Sequence, residues 1–179
     1  MSTYHHGDLR AALLKGAGKA LEKQGITALS LRDAARRAGV SHNAPYRHFA
    51  DRDALLAALA AEGFRMLGEA LRGKPGRARG EAYVRFALEH PQRFRLMFGG
   101  LLPLARHPEL REAASRAYQG LVDAWKDMPD PQIAAAAAWS LVHGLAQLLL
   151  DGHFASQAAD RDVFVARVLG AVRLAQRAA

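Results

Sequence analysis

Between Ser41 and Arg52 the chain gathers hydrogen-bond donors and flat rings: Ser41, His42, Asn43, Tyr46, Arg47, His48 and Arg52. These side chains suit recognition of a polyanion. The planar fork of Arg47 can take a guanine edge or a phosphate in two bonds. His42 and Asn43, at the exposed start of a short helix expected over His42 to His48, are placed to read base edges. Ser30 and Ser41 add hydroxyl or backbone donors at helix starts, and Arg52 opens the next helix with a charge that can hold a phosphate. Phe49 is apolar and belongs to the core.

The elements that must position these residues are legible around them. Ser30 is an N-cap for a helix beginning at Leu31, with Asp33 at the third position partly completing a capping box. Leu31, Ala34, Ala35 and Ala38 form one apolar face, and Arg32, Arg36 and Arg37 lie off it. Gly39 supplies the positive φ that ends this helix, Val40 turns into the core, and Ser41 caps the second helix. Helix, short turn and second helix make a helix-turn-helix, whose second helix enters the major groove. Pro45 is out of pattern, since it removes a backbone donor and disfavours helix at Ala44.

The charge distribution agrees with this. The net charge of +8 is uneven: residues 1–80 hold 14 Lys/Arg against 7 Asp/Glu, and residues 81–179 hold 11 against 10. A basic first part joined to a near-neutral remainder points to a polyanionic partner for the first part only. There is no cysteine, which removes thiolate catalysis, disulfides and cysteine-ligated zinc and fits a reducing cytoplasm. The N-terminus lacks the basic start and apolar run of a signal peptide.

Around the helix-turn-helix the chain reads as helices throughout. Asp8 to Gln24 presents Leu9, Leu13, Ala17, Ala20 and Leu21 as a buried stripe and stops at Gly25. A long fourth helix from Arg52 to Leu71 spans roughly 30 Å, enough to link a head to a second body. Arg72 to Gly80 is basic and full of breakers, and reads as a loop. Helices then follow over Glu81–His90, Gln92–Phe98 and Pro108 to about Lys126, with prolines at the boundaries. Most of the apolar side chains here are core, but Phe64, Phe86, Phe94, Met97, Phe98, Leu101, Tyr118, Trp139 and His143 are candidates to line a cavity for an apolar ligand. Residues 132–150 carry no formal charge and reach the length of a membrane span. Two glutamines, a serine, a histidine, a glycine and an alanine-rich first half argue instead for a helix buried in a core or subunit interface, with no membrane. Ala138, Leu141, Leu145 and Leu148 lie on one stripe of it, and Phe164, Val168 and Val172 on a final amphipathic helix from Asp160 to Arg177.

The stretch Ser30–Phe49, followed by Asp51-Arg52-Asp53-Ala54-Leu55-Leu56, resembles the DNA-binding domain of the TetR family of bacterial regulators. The resemblance rests on the A-x-R-A-G-V-S turn from Ala35 to Ser41, on Tyr46 and Phe49, and on the charged-x-x-Leu-Leu opening at Arg52, where the family usually has lysine. Trp139, His143 and Gly144 resemble the W…HG signature of one C-terminal subgroup. The resemblance implies an all-α fold: a three-helix head over residues 1–51, then a helical effector-binding and dimerisation domain over 52–179. It implies phosphate contacts for Tyr46 and His48, and a four-helix dimer bundle from the last two long helices. Tyr4, His5 and His6 lack a third ligand at metal spacing, and similar Tyr-His-His-Gly-Asp openings occur in part of the family, so contact with phosphate or the minor groove fits them better.

The reading is a homodimeric DNA-binding regulator without cofactor or metal, a repressor released from a palindromic double-stranded operator by a small apolar effector. The alternative is an architectural, weakly specific DNA binder without effector control. No nucleophile elbow, phosphate loop, HExxH or paired carboxylates support an enzyme.

Overall fold

The computed structural model describes residues 6–156 and 160–177, with side chains over 9–156 and 160–171. Tyr4 and His5, and the side chains of His6 and Val172, lie outside the described residues. Among the described residues eight α-helices follow one another: α1 (His6–Gln24), α2 (Leu31–Arg37), α3 (Arg52–Leu71), α4 (Gly76–Glu89), α5 (Pro91–Phe98), α6 (Pro108–Asp123), α7 (Pro131–Leu150) and α8 (Arg161–Arg177). Short 3-10 turns stand at Ala44–Arg47 and Leu104–Arg106. The fold is all-α, as expected.

Two compact units divide the chain, neither of them a continuous stretch. The first holds the residues up to Phe64 together with Gln92–Ser115, and the second holds Arg65–Pro91 with Arg116 onward. The head suggested by sequence ends at residue 51, whereas this packing gives the first unit most of α3, all but the first residue of α5, and the first half of α6. The reason lies in α5. Its Phe94 is fully enclosed, and the Phe98 ring meets Phe94 at 4.9 Å and Phe64 of α3 at 5.3 Å. The core around them comprises Leu13, Leu21, Leu55, Leu56 and Leu59.

A buried arginine fastens α5 to α1 and α3. Arg93 is 6% exposed; its Nη1 donates to the Leu59 carbonyl at 3.0 Å and to Glu62 Oε2 at 2.9 Å. Space for it comes from mid-helix glycines. A Cβ on Gly18 would stand 2.5 Å from Arg93 Nη2, and one on Gly63 would stand 3.0 Å from Arg93 Cγ and 2.6 Å from Met97 Sδ. Glu22 of α1 completes the fastening, accepting the first-turn amides of Gln92 at 3.1 Å and Arg93 at 3.2 Å. A carboxylate there satisfies donors that have no helical partner and meets the positive end of the α5 dipole.

In the second unit α4 packs on α7 and α8, and Gly80 allows the approach: a Cβ there would meet Leu169 at 3.0 Å and Val142 at 3.2 Å. Ala82, Val84, Phe86, Ala135, Leu145, Ala146 and Val165 form the core. The segment read as a loop over Arg72–Gly80 is corrected in its second half, because α4 already begins at Gly76. Pro75 stands at the N-cap in an extended conformation, Arg77 pairs with Glu81 one turn on, and Arg79 donates to the Lys74 carbonyl. These local contacts outweigh the glycine at the helix start.

Candidate nucleic-acid interface

The first helix of the motif forms as its sequence dictates. Ser30 Oγ accepts the Asp33 amide at 3.1 Å, and Leu31, Ala34 and Ala35 are buried. Gly39 has φ +68°, the conformation that ends α2. Asp33 does not reach back to complete a capping box but pairs with Arg37 at 2.6 Å and with Arg36. The Arg37 hydrogen bond, with Arg36 in support, holds the Asp33 carboxyl below the usual carboxylate range against the opposing effect of burial.

The second element of the motif differs from expectation. In place of a helix over His42–His48 there is one 3-10 turn, Ala44–Arg47, with Asn43 at its start and no side-chain cap. Ser41 contributes its carbonyl to the Ala44 amide at 3.0 Å, so a hydroxyl cap on this turn is not what the structure contains. Pro45 accounts for the shortening: it is buried, it offers no amide, and its carbonyl takes both the His48 and Phe49 amides at 2.9 Å. Ser41, His42, Asn43, Tyr46 and Arg47 are exposed, Tyr46 at 52%. His48 is half-buried with a buried Nε2 that has no hydrogen-bond partner, and Phe49 is core.

Arg52 does something the sequence does not reveal. Its Nε donates to the Leu29 carbonyl at 2.8 Å and its Nη2 to the Ile26 carbonyl at 2.6 Å. The guanidinium thus ties α3 to the turn before α2 and holds the motif's entry, leaving phosphate to its remaining donors.

The cavity candidates do not form one group. Phe64, Phe94, Met97 and Phe98 pack within the first unit, where Leu101 is 52% exposed. Phe86, Tyr118, Trp139 and His143 belong to the second, with Phe86 against the His90 ring at 5.0 Å. The centre of this second group is Tyr83, which sequence reasoning passed over. Trp139 Nε1 donates to Tyr83 Oη at 3.1 Å, Tyr83 Oη lies 2.9 Å from His143 Nδ1, and Tyr118 packs against Trp139 at 6.2 Å. A hydroxyl inside an apolar helix face requires partners, and that requirement was the available signal. Tyr83 Oη therefore accepts from Trp139 and shares a second hydrogen bond with His143 Nδ1, whose donor is set by the imidazole tautomer.

Burial raises the Tyr83 phenol above its ordinary value, against the Trp139 donation, and lowers the His143 imidazole below its own. A histidine with a depressed folded value stabilises the fold above its unfolded value, near 6.5, and loses that contribution as pH falls through the folded value. Thermal melts of the second unit are therefore expected to weaken below about pH 6.5, and His143→Gln should flatten the profile there. An unchanged slope in the variant would exclude His143 as its origin.

Of the dimer candidates, Leu145 is buried, Ala138, Leu141, Phe164 and Val168 are half-buried, and Leu148 is 41% exposed. Among the described residues no cluster of His, Asp or Glu could hold a metal ion.

Comparison with known proteins agrees with this geometry. Residues 13–59 match the family described as bacterial regulatory proteins, tetR family, and residues 76–172 match the tetracyclin repressor-like C-terminal domain. No curated protein matches the sequence. Among solved structures, a protein of unknown function from Rhodococcus sp. RHA1 is 37% identical with a TM-score of 0.77, covering 96% of this chain and 95% of its own. SCO4313, named as a candidate regulatory protein, is 28% identical with a TM-score of 0.74, covering 94% and 98%. A candidate TetR-family transcriptional regulator from Rhodococcus sp. is 25% identical with a TM-score of 0.60, covering 94% and 98%. The chain belongs to the TetR family of bacterial DNA-binding regulators, which are not enzymes.

Proposed function

We propose that the protein is a homodimeric repressor that binds an inverted-repeat operator in the cytoplasm and leaves it when a small apolar molecule occupies the second unit. The observation that carries the dimer is α7. It is long and apolar, yet of its residues Ala135, Leu145 and Ala146 are the buried ones. Ile133 is 66% exposed and Leu148 41%, and Val163 of α8 is 53% exposed. Large apolar side chains left exposed on so apolar a helix support an association surface there. By length and composition α7 is also long and apolar enough to cross a membrane. Its Trp139 and His143, bonded to or packed around Tyr83 of α4, favour a protein partner over lipid.

Two heads held by such a dimer would meet successive major grooves one turn or more apart. Phe86, Tyr118, Trp139 and His143 are the second-unit side chains we assign to the effector. Release requires that the effector bind better to a form whose heads no longer fit the operator. Ser30, Ser41, His42, Asn43, Tyr46 and Arg47 carry the DNA contacts, with His48 and Arg52 in support.

Selection from a random DNA library with the purified protein tests the reading. The expected result is an inverted repeat bound with a steep salt dependence. Recovery of no preferred sequence would favour an architectural binder. In parallel, Leu148→Glu is expected to turn a sedimenting dimer into a monomer without lowering the melting of the first unit. A variant that remains dimeric would place the interface elsewhere.

A further inference from the structure

Arg10 of α1 sits beside the reading element in an unusual pairing. Its guanidinium carbon lies 5.6 Å from the centroid of the Phe49 ring, and the Phe49 amide is bonded to Pro45 in the 3-10 turn. Arg10 is thus one ring away from the turn that exposes Tyr46 and Arg47. Its Nη2 donates to Glu109 Oε2 at 2.8 Å, and Glu109 stands in the first turn of α6. Neighbouring cations of the motif are engaged differently: Arg36 and Arg37 by Asp33 of their own helix, Arg52 by backbone carbonyls. The partner of Arg10 lies 99 residues away, on a helix that continues from the first unit into the second.

We propose that Arg10 is a phosphate-binding residue of the head, and that Glu109 and DNA compete for it. The inference rests on the DNA-binding reading. A guanidinium seated on a carboxylate offers the same planar fork to a phosphate, so one anionic acceptor can replace the other. The exchange is easy, because the Arg10 and Glu109 side chains are 38% and 46% exposed and such pairs are weakly held. DNA occupancy then frees the first turn of α6 from α1. By reciprocity, whatever holds that turn on Arg10 weakens DNA binding by the same factor.

The test uses the full-length protein and fluorescence anisotropy on a labelled mixed-sequence duplex of about 30 base pairs, long enough for half-sites one turn apart. Glu109→Gln is expected to tighten binding about two- to fivefold, the scale of an exposed ion pair. Arg10→Gln, which keeps a stem over Phe49, should weaken binding and lower the log–log salt slope by about one. In the Arg10→Gln background Glu109→Gln should add nothing. An equal gain with and without Arg10 would overturn the competition, reducing Glu109 to a general field effect, and so would a salt slope unchanged by Arg10→Gln. A wild-type protein that binds no duplex would overturn the DNA-binding reading, and this one with it.

Discussion

Arg93→Ala is expected to destabilise the first unit by about 3 kcal/mol, the lower end of the cost of breaking a buried ion pair. The lower end applies because Glu62, 36% exposed, can regain water when its partner is lost. The Leu59 carbonyl loses a donor, and the channel between Gly18 and Gly63 is left partly empty. For a chain of this size the midpoint of thermal unfolding should fall by roughly 10 °C, read by circular dichroism. Arg93→Met separates volume from charge. Its side chain fills most of the same channel, and Arg93 Nε has no hydrogen-bond partner to lose. The methionine variant should therefore recover a substantial part of the loss, since replacing a buried charge by a packed apolar group is often neutral. If Arg93→Ala melts as the wild type does, the buried guanidinium contributes nothing, and the first unit holds α5 by the Glu22 bonds to its first-turn amides and by its phenylalanines.

The helix-turn-helix was legible because its determinants are local. Ser30 bonds an amide three residues on, Gly39 needs only its own φ, and the apolar face of α2 is set by spacing. The prolines at the starts of α5, α6 and α7 were legible for the same reason. Arg93 was not, although a hint stood in the sequence. It shares a helix face with Leu96 and Met97, three and four residues on, where an arginine is unexpected unless paired. Its partners come from 31 and 34 residues earlier, and the glycines that admit it lie on two other helices. No local pattern encodes a contact assembled in that way. Arg52 teaches the same lesson in reverse, since its sequence position suggested a surface cation while the carbonyls of Ile26 and Leu29 give it a structural task.

The long-range contacts group the chain into compact units that do not follow a division at residue 51. A division at residue 51 follows the family resemblance and the chain's charge asymmetry. Packing instead ties α5 and the first half of α6 to α1 and α3 through Arg93, Glu22 and the Phe64–Phe98–Phe94 rings. Four aromatic or thioether side chains that looked like cavity lining thereby help to hold the first unit together. The second unit retains Tyr118, Trp139, His143 and Phe86, gathered around or beside a tyrosine whose hydroxyl is already spoken for by two neighbours. An effector that competes with those bonds would act on α4 and α7 together.

Arg47→Ala is expected to weaken operator binding by about 1–3 kcal/mol, roughly five- to 150-fold, if the fork reads a base. Arg47 is exposed at the end of the 3-10 turn, so truncation should leave the stability within the range of ordinary surface substitutions, about 0.5 kcal/mol. The two roles open to this residue give different patterns. A base contact predicts that selection with the variant relaxes one position of each half-site. A phosphate contact predicts uniform weakening across sequences and a salt slope reduced by about one. Tyr46→Phe supplies the comparison, since loss of one exposed hydroxyl from the same turn should weaken binding without altering sequence preference. The shortened turn sharpens the experiment. With Pro45 confining the reading element to Ala44–Arg47, few exposed side chains remain to specify sequence, and Arg47 is the one with a bidentate fork. Wild-type affinity and preference in Arg47→Ala would move recognition away from this turn, to the exposed His42 and Asn43 that precede it.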